Sequence, residues 1–174
     1  MIKPLYKGNG DAMDPNSYRP ITILSCFGKL FTSVLNNRLT HFLDINDILS
    51  PAQAGFRKGF SVSDNLFVIH TLSELMKINK KKLYCVFIDF TKAFDTVWRS
   101  GLWHKMIRNG INGKFLTLVK NMYHDIKSAV MINDNVSNSF NCYSGVRQGE
   151  NLSPLLFSIF LNDVEEFLFE HRSE

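Results

Sequence analysis

Two acids, Asp89 and Asp95, stand in the run Phe87-Ile88-Asp89-Phe90-Thr91-Lys92-Ala93-Phe94-Asp95, where an apolar stretch delivers a carboxylate at its end. A carboxylate on an apolar strand is costly unless a cation or hydrogen-bond donor faces it. Magnesium takes oxygen ligands, keeps several waters and is commonly held by one or two carboxylates beside substrate phosphates. Two such ions about 3.5–4 Å apart stabilise both the attacking and the leaving oxygen of a phosphoryl transfer. Asp89 is therefore a candidate metal ligand, and Asp95 is close enough in sequence to belong to the same region. Residue types and spacing leave a second reading open, in which Asp89 caps a helix or pairs with a buried arginine.

A second segment can do chemistry. In Gly145-Val146-Arg147-Gln148-Gly149-Glu150-Asn151-Leu152-Ser153-Pro154-Leu155-Leu156-Phe157, two glycines flank a glutamine that both donates and accepts hydrogen bonds. The amide-rich start of a helix follows at Ser153-Pro154, where proline suits the first turn. The alternative is an ordinary glycine-rich turn before a capped helix.

The elements that must position these residues follow from periodicity. Residues 1–19 read as extended loop and 21–24 as a short strand. Ser25 is a helix N-cap for an amphipathic helix to about residue 43, carried by Phe27, Leu30, Phe31, Val34, Leu35, Leu39 and Phe42. A connector with Pro51, Gly55 and Gly59 leads to a helix over 63–78, closed by Lys77 and Lys80 to Lys82 as a solvated basic end. Residues 83–90 predict a strand covered on both faces. Helices follow at 99–108 and 113–124, a hairpin at 128–132 and 136–142, and a last helix from Ser153 to about residue 170. The mixture is α+β.

The chain has 174 residues, enough for one sizeable core, with 45% hydrophobic and 21% charged residues. Its 15 Phe are expected mostly in that core, as are Trp98 and Trp103. Net charge is +4 and unevenly placed: residues 1–100 hold 13 basic against 8 acidic side chains, the remainder 7 against 8. A basic first half permits phosphate contact. Cys26, Cys85 and Cys142 are too dispersed for a thiolate zinc site or disulfide scaffold, and read as buried thiols. His41, His70, His104, His124 and His171 lack metal-ligand spacing and read as surface or helix-packing residues. With no signal peptide or membrane-spanning run, an intracellular location is expected, nucleus or cytoplasm.

The two chemical segments together resemble the first and second palm motifs of reverse transcriptases, specifically those of non-LTR (LINE-type) retrotransposons. The second match continues into Phe160-Leu161-Asn162-Asp163, and Tyr18-Arg19-Pro20-Ile21 and Gln53-Ala54-Gly55-Phe56-Arg57 resemble the family's fingers motifs. The resemblance implies the fingers and a partial palm of a right-hand polymerase, with 1–82 fingers-like and 83–174 palm. It implies RNA-directed DNA synthesis with two Mg2+ ions, an RNA template, a DNA primer and deoxynucleoside triphosphates.

By the same resemblance, Asp89 is the first catalytic metal ligand, helped by the Phe90 carbonyl. Phe94 is the aromatic gate under the sugar, Gln148 and Gly149 line the nucleotide and template, and Arg19 contacts the triphosphate with Lys3 or Lys7. Arg57 is a candidate for the template backbone, with a role inside its own loop as the alternative.

The family's next motif, Tyr-x-Asp-Asp, does not occur, and no Asp-Asp pair is present. Asp163, Glu165 and Glu166 do not replace it, because they fall on the predicted last helix. The expectation is a fragment incomplete at its C-terminus and inactive alone, with apolar surface or an open edge exposed at 83–90. The alternative is a non-catalytic remnant or nucleic-acid-binding module.

Overall fold

The computed structural model describes residues 1–170, so His171 and the end of the expected 83–174 region lie outside it. The chain opens with β1 (Ile2–Tyr6), antiparallel to β2 (Tyr18–Thr22). This corrects the expected extended loop and moves the expected strand forward. Pro4 and Pro20 obscured the pairing in the sequence, yet they sit directly opposite each other in the register, where neither needs an N–H. The Tyr6 and Tyr18 rings, 5.4 Å apart and tilted at 56° to each other, close the end of the ribbon.

Four helices build the core. α1 (Cys26–Ile45) starts where Ser25 Oγ accepts from the Gly28 amide, as expected, and buries Leu35, Leu39 and Leu43 at four-residue spacing. After α2 (Val62–Ile78), α3 (Arg99–Arg108) contributes Leu102 and Met106, and α4 (Gly113–Met122) contributes Leu116 and Val119. The strands β3 (Lys127–Ser128), β4 (Met131–Ile132), β5 (Asn135–Val136) and β6 (Phe140–Asn141) form one long irregular hairpin. β4 pairs with β5 at its tip and β3 with β6 at its base. Asn133 and Asp134 both take positive φ at the tip, the twist that two-residue hairpin turns require. The hairpin meets β1 through the Ile2 amide, which donates to Ala129 O at 2.8 Å.

α5 (Ser153–Leu161), with Pro154 in its first turn, packs Leu155, Leu156 and Ile159 into the same core. α6 (Val164–Glu170) is separate, so the single expected helix is broken. The break falls where Asn162 accepts from the Ser50 amide and donates to Ile48 O, and where Asp163 pairs with Lys105 of α3.

Four further expectations are corrected. Residues 83–90 form no strand, because no described segment pairs with them. Their apolar side chains are exposed, Val86 at 86% and Phe87 at 83%, so the expected exposed apolar surface is present. α2 likewise buries none of its residues. The buried core is aliphatic with Tyr123, and among the described residues no Phe is in it; Trp98 is exposed, while Trp103 packs against its edge. Cys26 and Cys85 are exposed and Cys142 half-buried, all as free thiols. No helix of the described residues is long and apolar enough to cross a membrane.

Candidate functional site

Three distant segments meet at one point. The Gly145 amide donates to Val97 O at 2.9 Å and the Val146 amide to Phe94 O at 2.7 Å, which lashes the Gly-Val-Arg-Gln-Gly loop along the end of the Asp89–Val97 segment. Gly145 has φ +81°, and a Cβ there would lie 2.6 Å from Asp95 O, so both its conformation and its contact require glycine. On the other side, the Thr22 amide donates to Gln148 O at 2.7 Å. Gly149, at φ +93°, lies against Thr22 and the Ile21 side chain, where a Cβ would approach Thr22 O to 3.0 Å. β2 therefore borders the loop directly.

Gln148 is held by its side chain as well. Its Nε2 lies 3.1 Å from both carboxylate oxygens of Asp95. Burial pushes the Asp95 carboxyl above its ordinary value, with the Gln148 hydrogen bond and Lys92 pulling the other way. Phe94, one residue earlier, is half-buried and stacks on Phe157 of α5 at 5.1 Å and 19° between planes. Phe90 meets the same Phe157 edge-on at 6.5 Å, and Phe56 meets Phe94 edge-on at 6.1 Å. Phe157 thus braces both aromatic residues flanking the candidate metal and sugar positions.

The ribbon orients two cations. Residues opposite each other in an antiparallel pair point to the same face, and residues two apart share it. The register Lys3↔Ile21 and Leu5↔Arg19 puts Lys3, Leu5, Arg19 and Ile21 on one face, and Ile21 is the residue that touches Gly149. Lys3 and Arg19 are exposed there. Lys7, by contrast, commits its ammonium to Asn16 O at 2.7 Å. Arg57 donates to Ser50 O and Gln53 O and lies 4.0 Å over the Phe60 ring, so its bonds hold its own connector.

Asp89 and Phe90 are exposed, and no hydrogen bond or ion pair joins Asp89 to another described residue. Among the described residues no three metal-ligating side chains cluster. A free carboxylate followed by a free main-chain carbonyl is nonetheless a hard-oxygen donor set of the kind magnesium accepts when phosphates complete it.

A buried polar cluster anchors the loop from behind. Arg99 donates to four carbonyls, those of Gly145, Ser144, Cys142 and Tyr123. The Arg99 and Arg147 guanidinium groups each lie 5.3 Å from the centre of the Tyr123 ring, and the tyrosine hydroxyl donates to Glu150 at 2.9 Å. Glu150 is 2% exposed. Burial pushes its carboxyl up, opposed by Arg147 and by hydrogen bonds from Tyr123 and Ser153. Sequence reasoning missed Arg99, Tyr123, Glu150 and Phe157, since each acts through a tertiary contact no local spacing announces. For Asp95 a signal existed, its place in the same run as Asp89.

The model of the family described as "Reverse transcriptase (RNA-dependent DNA polymerase)" matches residues 6–171. The chain belongs to the reverse transcriptase family. It is 33% identical over 166 residues to "Probable RNA-directed DNA polymerase from transposon BS" of Drosophila melanogaster, covering 94% of this chain and 18% of that protein. It is 30% identical over 161 residues to "RNA-directed DNA polymerase from mobile element jockey" of the same species, covering 92% and 17%. To "Retrovirus-related Pol polyprotein from type-1 retrotransposable element R2" of Popillia japonica it is 28% identical over 165 residues, covering 94% and 23%. The chain spans about a fifth of the length of the curated relatives it matches. In this member of the reverse transcriptase family, the expected non-LTR retrotransposon relationship holds along nearly the whole sequence.

Proposed function

We propose that this chain supplies the nucleotide-binding face and the first metal ligand of an RNA-directed DNA polymerase, with residues 1–82 as fingers and 83–174 as a partial palm. The observation that carries this reading is the three-way junction of β2, the Phe94–Val97 turn and the Gln148–Gly149 loop. Its substrates are a DNA primer on an RNA template and a deoxynucleoside triphosphate. The primer 3′-hydroxyl oxygen bonds to the α-phosphorus, pyrophosphate leaves, and the hydroxyl proton passes to solvent or base.

Arg19 grips triphosphate oxygens with a planar multi-donor fork, and Lys3 adds a point charge from the same face of the ribbon. Lys3 is preferred to Lys7, whose ammonium already has a carbonyl partner. Phe94, backed by Phe157, presents a flat surface with no polar atom to a ribose 2′-hydroxyl. Gln148 and Gly149 line the nucleotide–template side, and the absence of a side chain at Gly149 lets β2 pack against the loop through Thr22 and Ile21. Arg57 reaches template only by giving up its carbonyl partners. Asp89 and the Phe90 carbonyl would hold Mg2+, which when bound neutralises the charge developing on the phosphate oxygens.

The test is binding of deoxythymidine triphosphate with Mg2+ to the chain, in the presence of an adenine-bearing RNA template annealed to a DNA primer. Binding tighter than that of the matching ribonucleotide, with the preference lost in Phe94→Ala, is expected. Equal affinity for the two sugars, unchanged by Phe94→Ala, overturns the assignment.

A further inference from the structure

We propose that Asp95 is the positioning residue of Gln148, fixing its side-chain amide so that the carbonyl oxygen, and not the NH2 group, faces the ligand. This rests on the reading of Gln148 as a residue of the nucleotide site. Asp95 is itself immobilised. Its amide donates to Lys92 O at 2.9 Å, its carbonyl accepts from Ser144 Oγ at 3.3 Å, and Gly145 packs against its backbone.

The carboxylate so placed meets Gln148 Nε2 with both oxygens at 3.1 Å. An ionised carboxylate only accepts, so it selects one of the two amide orientations: the NH2 group toward Asp95, Oε1 away. The Gln148 main chain is meanwhile held by the Thr22 amide at 2.7 Å. Gln148 is thus fixed at both ends by the other two segments of the junction.

Its remaining polar atom is Oε1, which has no hydrogen-bond partner in the structure and is not sealed from solvent. An acceptor there selects a donor on the ligand. Gln148 therefore contacts a nucleotide hydroxyl or amino group and does not contact triphosphate oxygens, which fall to Arg19 and Lys3. A neutral residue at 95 leaves the amide free to turn over, halving at best the fraction of correctly presented acceptor and adding the ordering loss on binding.

The experiment follows the Gln148 side-chain NH2 resonances in the chain labelled with 15N-glutamine, with deoxythymidine triphosphate and Mg2+ as probe on the same primer–template. In the unmodified chain the two Nε2 hydrogens exchange slowly. Asp95→Asn and Asp95→Ala speed their exchange about tenfold, and weaken nucleotide binding about fivefold to tenfold, the range expected for loss of one ordinary hydrogen bond at the ligand. Protection of the Gly145 and Val146 amides in the same spectra shows that the loop is still docked.

The exchanged pair Asp95→Asn with Gln148→Glu restores a donor facing an acceptor and recovers binding relative to either single variant. Gln148 exchange indifferent to Asp95→Ala in a docked loop overturns the proposal. So does weaker nucleotide binding in Gln148→Ala with none in Asp95→Asn. If the amide responds to Asp95 but neither variant alters nucleotide binding, the pairing stands and the nucleotide reading of Gln148 is what fails.

Discussion

Gly145 and Asp95 are in such close backbone contact that a Cβ on Gly145 would sit 2.6 Å from the Asp95 carbonyl oxygen. The two residues are fifty positions apart in the sequence, and their contact is the point at which the two motif segments become one site. Gly145→Ala therefore meets two penalties, a left-handed φ and a main-chain overlap. A loss of about 2 kcal/mol or more is expected in urea unfolding, with the Val146 amide losing its protection from exchange. A variant as stable as the parent would mean that the loop is not docked in this way.

Arg99 gives a second test of the same junction. Its guanidinium reaches four carbonyls in two directions, a task for a planar fork that a lysine ammonium on a flexible stem cannot repeat. Arg99→Lys keeps the charge and is expected to destabilise by about 2 kcal/mol, from several charge-assisted bonds, three of them part-buried, lost together. Differential scanning calorimetry reads this directly, and an unchanged melting temperature would refute it.

Glu150 predicts a pH dependence. Its carboxyl is raised above the ordinary 4.5 because burial penalises the charged form more than Arg147, Tyr123 and Ser153 relieve it. The folded state then binds this proton more tightly than the unfolded state. Its contribution is fully present below the unfolded carboxylate pKa and is lost as pH rises through the folded value. Urea midpoints measured from about pH 4 to pH 7 should fall with rising pH in the parent and fall less in Glu150→Gln. Asp95, also raised by burial, adds a slope of the same sign that this substitution leaves in place. A steeper decline in Glu150→Gln than in the parent contradicts the account.

Residues 83–90 make no backbone hydrogen bond with any described residue and expose Tyr84, Val86, Phe87 and Ile88. Their amides should exchange at near the unfolded-chain rate, while Leu39, Leu102 and Leu156 amides stay protected. Slow exchange across 83–90 in the chain would show pairing that the structure lacks.

The contrast between that segment and its neighbour shows what was legible in the sequence. The start of α1 could be placed to the residue, because Ser25 and the spacing of Leu35, Leu39 and Leu43 are local signals. Gln148 and Phe94 could be referred to one site only because their two segments together resemble the palm motifs of reverse transcriptases, not because of the spacing of either alone. β1 was not legible, since Pro4 and Pro20 look like breakers until their register shows them facing each other. The strand expected at 83–90 failed for the opposite reason: its pattern is right, but a strand needs a partner, and pattern does not supply one. The preference for Lys3 over Lys7 lay equally out of reach, because only the pairing with Ile21 and the Lys7 bond to Asn16 separate them.

The central claim, that Asp89 holds a metal together with an incoming nucleotide, is tested most directly by paramagnetic broadening. Mn2+ is titrated in place of Mg2+ into 15N-labelled chain with deoxythymidine triphosphate and primer–template. The account predicts broadening centred on Asp89 and Phe90, reaching Phe94 and Arg19, and abolished by Asp89→Ala. Broadening that spares Asp89, or that survives Asp89→Ala unchanged, would contradict it.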